Sequence, residues 1–113
     1  MKKIIFCLLL FLIFTSIVSA QTNNSKTEQT KFVVSGNCQM CKARIEKAAL
    51  SLKGVKKVEW NIPTNVLNVI YNSKKQELLA IHKAIATAGH DTPLVKAPDA
   101  VYAELPLCCL YER

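Results

Sequence analysis

A strand pattern, a pair of cysteines and an amphipathic helix pattern follow one another in residues 32–52, which read FVVSGNCQMCKARIEKAALSL. The first residues are apolar and β-branched, typical of a strand, and Gly36-Asn37 predicts the turn that ends it. The two cysteines, Cys38 and Cys41, are therefore expected between the first strand and the first helix. The apolar residues of that helix recur at the i, i+3, i+4, i+7 spacing of a single face, at Ile45, Ala48, Ala49 and Leu52.

The pattern continues with a hairpin and a second helix. Apolar and polar residues alternate over residues 58–62 and again over residues 67–71, which predicts two antiparallel strands joined by a turn. Helical periodicity returns over residues 78–88 and ends at Gly89. The pattern places His82 on the solvated face of this helix.

A last strand is expected at residues 92–96, at an edge of the sheet because Pro93 has no amide hydrogen to donate. The resulting order, β-α-β-β-α-β, predicts an α+β fold, the ferredoxin-like sandwich, in which two helices pack on a four-stranded antiparallel sheet. In that order the loop that carries Cys38 and Cys41 lies at the same end of the sheet as the loop that carries His90.

Residues 1–20 have the composition of a secretory signal peptide. Residues 2–3 are lysines, residues 4–14 are apolar, and a small-residue site ends at Ala20. The apolar run is shorter than the ~20 residues of a membrane-spanning helix. We therefore expect cleavage after Ala20, no membrane insertion afterwards, and a periplasmic or secreted protein.

The length of 113 residues allows one small domain and excludes a multidomain enzyme. Residues 21–30 hold no hydrophobic side chain and are expected to form a flexible leader. Residues 31–96 form the predicted domain, and a C-terminal segment (residues 97–113) follows with the adjacent pair Cys108-Cys109. We expect a monomer without enzymatic activity, because we find neither paired carboxylates nor a Cys-His nucleophile arrangement.

Cys38 and Cys41 are candidate metal ligands because of their place at the start of a helix. Unpaired N–H groups and a partial positive charge there stabilise thiolates. Two thiolates on an exposed loop suit a soft ion of low coordination number, Cu(I), Ag(I) or Hg(II), whereas zinc normally takes four ligands. A C-x-x-C pair alone is also typical of thiol–disulfide redox proteins, and that function is the alternative.

Four short segments carry a resemblance to a known family: GNCQMC at 36–41, IEKA at 45–48, GV at 54–55, and AI with AG at 84–89. With these segments, residues 31–96 resemble the heavy-metal-associated domain of copper metallochaperones, metal-ATPase N-terminal modules and the periplasmic mercuric-ion-binding protein. The resemblance implies that Cys38 and Cys41 bind an ion, with Cu(I) favoured and Hg(II), Zn(II) or Ag(I) as alternatives. It also implies transfer by thiolate exchange to a metal-transporting ATPase or another metal-exchanging domain.

The chain departs from the family pattern at two positions. Gly36 stands where the family usually has a methionine that packs beneath the metal loop. His90 stands where an aromatic residue or a lysine is common. His90 is either an exposed loop residue or a third ligand near the thiolates, since imidazole binds both copper and zinc.

Three interpretations of Cys108 and Cys109 stay open. They join Cys38 and Cys41 in a four-thiolate site that suits zinc or a cuprous cluster, they form a second, mobile thiol site that relays metal, or they make disulfides to the loop. The segment that precedes them can extend over ~36 Å, against ~17 Å for a strand of typical length. A return to the metal end of the domain is therefore feasible.

The formal net charge is +7, and several of the basic residues cluster around the first helix and the strand that follows it. Such a basic run is usually a solvated face, and it also suits the attraction of an acidic partner domain. Nucleic acid is not expected as a partner of an exported protein without aromatic stacking platforms. The basic residues are Lys42, Arg44, Lys47, Lys53, Lys56 and Lys57.

Overall fold

The computed structural model describes residues 26–113. Strands and helices alternate in this part of the chain in an α+β arrangement that ends with an additional short helix and a 3₁₀ turn. None of its helices is long and apolar enough to cross a membrane. The predicted signal peptide and residues 21–25 lie outside the described residues. The elements are β1 (Thr27–Val33), α1 (Gln39–Leu50), β2 (Val55–Trp60), β3 (Val66–Asn72), α2 (Leu78–Thr87), α3 (Asp99–Ala103) and the 3₁₀ turn Leu107–Cys109.

β3 is the central strand of an antiparallel sheet, with β1 on one side and β2 on the other. Successive side chains of a strand point to opposite faces, and in β3 every second one is buried. The pairing of β2 with β3 confirms the predicted hairpin. Side chains of both helices and of this face of the sheet form one buried core. Its members include Ile45, Leu67, Val69, Ile81 and Ile85.

The expectation of a flexible leader is wrong for residues 27–30, which belong to β1. Their backbone pairs with β3 in a register that starts at Thr27 opposite Asn72. Their side chains remain largely exposed, so the segment gains its order from backbone hydrogen bonds. The leader was predicted from the lack of apolar side chains, and composition does not report the contribution of backbone hydrogen bonds.

The prediction that His82 is solvated is also wrong. The His82 side chain is buried and stacks on Phe32, with ring centroids 3.9 Å apart. Its Nδ1 lies 2.7 Å from the hydroxyl oxygen of Thr92. Burial lowers the pKa of His82, so the neutral ring serves as a core residue between α2 and β1.

The predicted fourth strand is wrong, because the sheet formed within residues 26–113 has three strands and residues 92–96 make a bend. The Thr92 N–H donates to the Val95 carbonyl over 2.9 Å, and the Val95 N–H donates to the Thr92 hydroxyl over 3.1 Å. Pro93 supplies no donor. The backbone groups that a ladder would need are therefore used inside the bend itself.

The C-terminal segment packs back onto the domain at the end of α2. Leu105 is buried against Gly89, and Tyr111 is buried as well. The Tyr111 hydroxyl donates to the Gly89 carbonyl over 2.8 Å and accepts the Asp91 N–H over 3.0 Å. Arg113 pairs with the Asp91 carboxylate at 2.9 Å. These contacts anchor the segment to the loop that follows α2.

Gly89 is a position at which this anchoring leaves no room for a side chain. Its φ is +109°, and a Cβ there would lie 2.8 Å from Cδ2 of Leu105. We expect Gly89→Ala to lower the free energy of unfolding by about 2–4 kcal/mol, through backbone strain and overpacking. Trp60 fluorescence during urea unfolding measures the change.

Leu105→Ala separates these two causes. On its own it should cost ~2–5 kcal/mol of stability by leaving a cavity. It also removes the overlap, so the double variant should lose less stability than the two single losses added together. Strictly additive losses would show that the contact between Gly89 and Leu105 contributes nothing.

Candidate metal centre

The N-terminus of α1 brings Cys38 and Cys41 together. Cys38 is the cap residue, in an extended conformation with φ −146° and ψ 176°, and its carbonyl accepts the Lys42 N–H over 3.0 Å. Cys41 follows in the first turn, fully buried, and its sulfur accepts the Asn37 N–H over 3.4 Å. The two sulfur atoms are 3.4 Å apart. The helix start thus directs both thiols to one point, as the sequence pattern predicts.

Trp60 lies beneath this loop and supports it. Its indole N–H donates to the carbonyls of Val34 and Asn65, over 3.1 and 3.0 Å. A Cβ at Gly36 would come within 3.0 Å of the indole ring and 3.1 Å of the Cys41 Cβ. The indole therefore packs against the loop at the position for which the resemblance implies a methionine, and Gly36 leaves room for it. The sequence reasoning missed this role, although a tryptophan in the predicted second strand and the unusual Gly36 were its two signals.

The C-terminal segment adds two further thiols to this point. The Cys109 sulfur is buried and lies 3.7 Å from the Cys38 sulfur and 3.9 Å from the Cys108 sulfur. Cys108 is exposed and its thiol contacts the Met40 sulfur at 3.4 Å. The sulfurs of Cys38, Cys108 and Cys109 all lie within 4.8 Å of one another. The C-terminal segment therefore reaches the loop that carries Cys38 and Cys41, and these four cysteines are free thiols.

The ionisation of these thiols is uneven. Burial opposes the ionisation of Cys38, but hydrogen bonds from the Cys41 backbone N–H and from the neighbouring thiols outweigh it and lower the pKa of Cys38 to about 7. Burial and the adjacent thiols raise the pKa of Cys109. The hydrogen bond to Cys38 raises the pKa of Cys108. Negative charge is therefore concentrated on Cys38, which lies in contact with the other thiols.

His90 is buried rather than exposed. It stacks on Tyr111 with ring centroids 5.7 Å apart, and its Nδ1 donates to the Ser35 carbonyl over 2.8 Å. Burial lowers its pKa, so the ring is neutral and Nε2 carries a lone pair, for which the described residues provide no partner. His90 is not a member of the compact group formed by Cys38, Cys108 and Cys109. Its role as a ligand stays a prediction.

The ammonium group of Lys42, at the start of the basic run, is paired within the domain. Its ammonium group contacts the Glu46 carboxylate at 2.5 Å and donates to the Trp60 carbonyl over 2.9 Å. The same carboxylate accepts the Trp60 N–H over 3.0 Å. Lys42 and Glu46 together therefore connect α1 to the end of β2, beside the loop that carries Cys38 and Cys41.

The profile of the heavy-metal-associated domain matches residues 32–91, which is more than half of the chain. The chain belongs to the heavy-metal-associated domain family. The matched residues contain Cys38, Cys41 and His90, whereas Cys108 and Cys109 lie beyond them. The family assignment therefore accounts for the C-x-x-C loop and leaves the thiols of the C-terminal segment unexplained.

Solved structures of heavy-metal-associated domains share the fold. A CopZ metallochaperone is 27% identical with a TM-score of 0.56, over 57% of this chain and 98% of its own. The N-terminal domain of a potential copper-translocating P-type ATPase from Bacillus subtilis, in its Cu(I)-loaded state, is 28% identical with a TM-score of 0.57, over 66% of this chain and 95% of its own. Oxidised MerP from Ralstonia metallidurans CH34 is 25% identical with a TM-score of 0.51, over 57% and 94%. Comparison with curated protein sequences found no match.

The uneven acidity of the thiols has a measurable consequence. In the reduced, metal-free protein we expect the rate of alkylation of Cys38 by iodoacetamide to rise through a pH of about 7, as the thiolate forms. Cys109 should stay unreactive at neutral pH, because it is buried and its pKa is raised. Peptide mass spectrometry measures each site separately.

Cys108 is the internal control for this measurement. It is exposed, like any accessible thiol, but its pKa is raised, so its alkylation should increase only at higher pH than that of Cys38. A Cys38 profile that rises near the ordinary value of 9.0 would contradict the electrostatics described for the loop.

Proposed function

We propose that this heavy-metal-associated domain is an exported carrier that binds a soft metal ion through Cys38 and Cys41 and passes it on by thiolate exchange. The observation that carries the proposal is the convergence of the two sulfurs, 3.4 Å apart, at the N-terminus of α1. A helix start favours thiolates, and thiolates bind soft ions. The ion is cargo, and the protein supplies its ligands.

Cu(I) is the favoured cargo. The converging side chains at this point offer sulfur donors, which select Cu(I), Ag(I) and Hg(II) over harder ions. Among the similar structures, the N-terminal domain of a potential copper-translocating P-type ATPase is in a Cu(I)-loaded state. Hg(II) stays an alternative because thiolates bind it as they bind Cu(I). Zn(II) stays an alternative because Cys108 and Cys109 raise the number of nearby thiols to the four that zinc prefers.

Transfer requires that a partner thiol can reach the ion. Cys38 is half-buried and Cys108 exposed, so the site is open on one side. Two exposed apolar side chains lie next to Cys108. Met40 (52% exposed) contacts its sulfur, and Leu107 (87% exposed) precedes it in the chain. This apolar rim and the exposed basic residues that follow Lys42 suit a metal-transporting ATPase or another metal-exchanging domain with an acidic surface. These basic residues include Lys47, Lys53 and Lys57.

The part of the proposal that concerns export is supported by the sequence of residues 1–20, whose basic start, apolar run and small-residue site are typical of a cleaved signal peptide. The carrier would then act in the periplasm or outside the cell. In such an oxidising compartment free thiols are at risk of forming disulfides, and bound metal protects them.

A thiol–disulfide redox protein is the second candidate. It is favoured by one observation, the lowered pKa of Cys38 next to a second free thiol. Catalytic thiols of redox proteins share this property. The two functions differ in what the reduced protein does with metal.

Metal titration of reduced residues 21–113, followed by native mass spectrometry, tests the proposal. We expect uptake of Cu(I) that resists a competing chelator, because two converging thiolates bind a soft ion. The double variant Cys38→Ser/Cys41→Ser should lose this uptake.

The matched control is Cys108→Ser/Cys109→Ser, which removes the same number of thiols but leaves the C-x-x-C loop intact, and it should still bind. Absence of Cu(I) uptake by the reduced parent, together with a reduction potential in the range of oxidoreductases, would reject the carrier and support the redox protein.

A further inference from the structure

Five sulfur atoms form a continuous row at the metal end of the molecule. Cys41 contacts Cys38 at 3.4 Å, Cys38 contacts Cys109 at 3.7 Å, Cys109 contacts Cys108 at 3.9 Å, and Cys108 contacts Met40 at 3.4 Å. The row begins at exposed side chains, Met40 and Cys108, and ends at the buried Cys41. Cys38 lies next to the buried end and contacts both Cys41 and Cys109.

We propose that Cys38, Cys108 and Cys109 form a second soft-metal position, a three-thiolate site that shares Cys38 with the C-x-x-C pair and that Met40 flanks. The inference goes beyond the proposed function and rests on it only for the class of ion. Cys108 and Cys109 lie outside residues 32–91, so this position belongs to the C-terminal segment and not to the family domain.

The geometry suits one ion held by three thiolates. A metal–sulfur bond of ~2.3 Å places the sulfurs of a planar three-coordinate site about 4.0 Å apart. Two of the three separations are 3.7 and 3.9 Å, and all three sulfurs lie within 4.8 Å of one another. Binding needs no oxidant or reductant: each thiol releases its proton to water as it takes up the ion, and the metal keeps its oxidation state.

The position is held by tertiary contacts of the C-terminal segment. The Cys109 N–H donates to the Pro106 carbonyl over 2.8 Å within the 3₁₀ turn, which points the adjacent thiols to the same side. Leu105 before the turn and Tyr111 after it are both buried. Cys108 and Cys109 are therefore held in place by buried residues on both sides. The site with Cys38 does not depend on a mobile chain end.

The arrangement gives the second position a role in loading. An ion that arrives from solvent meets Cys108 and Met40 first, because these are the exposed members of the row. Cys38 belongs to both positions, so the ion passes to the C-x-x-C pair by exchanging Cys108 and Cys109 for Cys41 while Cys38 stays bound. In this exchange one metal–sulfur bond forms, as the Cys41 thiol releases its proton to water, and two break, as Cys108 and Cys109 leave the ion and take up protons from water; no electrons are transferred.

The single variant Cys41→Ser tests the position, because it breaks the C-x-x-C pair and leaves the three proposed ligands. We expect reduced Cys41→Ser to retain one Cu(I) against a competing chelator, with X-ray absorption showing a three-sulfur shell. Adding Cys108→Ser and Cys109→Ser to this variant leaves Cys38 as the single thiol of the row and should abolish retention. Cys108→Ser/Cys109→Ser without the change at Cys41 is the matched control, and it should still retain Cu(I) through the intact pair.

The outcomes separate this inference from the proposed function. If Cys41→Ser loses all Cu(I) while the parent binds it, the second position does not exist and the carrier function stands. If the parent itself takes up no Cu(I), the carrier function fails. Circular dichroism and Trp60 fluorescence establish that each variant is folded, and Cys41→Ala, which adds no hydroxyl to the buried site, repeats the test where Cys41→Ser is unfolded.

Discussion

The close packing of Trp60 against Gly36 is the constraint on which the metal end of the molecule depends. The indole N–H is shared between carbonyls at the end of β1 and in the β2–β3 turn, Val34 and Asn65. The ring lies where a Cβ of residue 36 would be, next to the Cβ of Cys41. One buried side chain thus joins three segments, and a buried, fully paired N–H makes that junction costly to break. The loop that carries Cys38 and Cys41 therefore packs on a side chain that is itself held in place.

The C-terminal segment provides the second half of the metal end, and it does so where a fourth strand was predicted. The bend at residues 92–96 satisfies its own backbone groups, so Asp91 is free to accept Arg113 and to donate its N–H to Tyr111. Apart from one backbone bond, from the Ser35 N–H to the Asp91 carbonyl over 3.0 Å, side chains of the segment provide the link to the domain in place of a ladder. These side-chain contacts hold the segment in the position that brings Cys109 to Cys38. A regular edge strand would be held by the sheet and would not depend on this segment.

The predictability of the structure follows the range of the interactions involved. The C-x-x-C loop, α1 and the β2–β3 hairpin depend on spacing within short windows, and local pattern predicts them. The start of β1 and the burial of His90 depend on partners far along the chain, such as β3 for Thr27 and Tyr111 for His90. The missing fourth strand follows instead from hydrogen bonds within the bend, one of them to the Thr92 hydroxyl, which the hydrophobic pattern does not report. Chain length allowed Cys108 and Cys109 to reach the loop but did not require it, because burial of Leu105 and Tyr111 decides where the segment lies.

A site that carries an ion must both retain it and release it, and the burial of the sulfurs bears on that balance. More thiolates around an ion retain it more firmly, but buried thiolates also shield it from an incoming ligand. Here Cys41 and Cys109 are buried, whereas Cys108 is exposed and Cys38 half-buried. Exchange at the exposed end leaves the buried bonds in place, so each step of transfer breaks only one of several bonds. The proposed second position would therefore make retention stronger without closing the route by which the ion leaves.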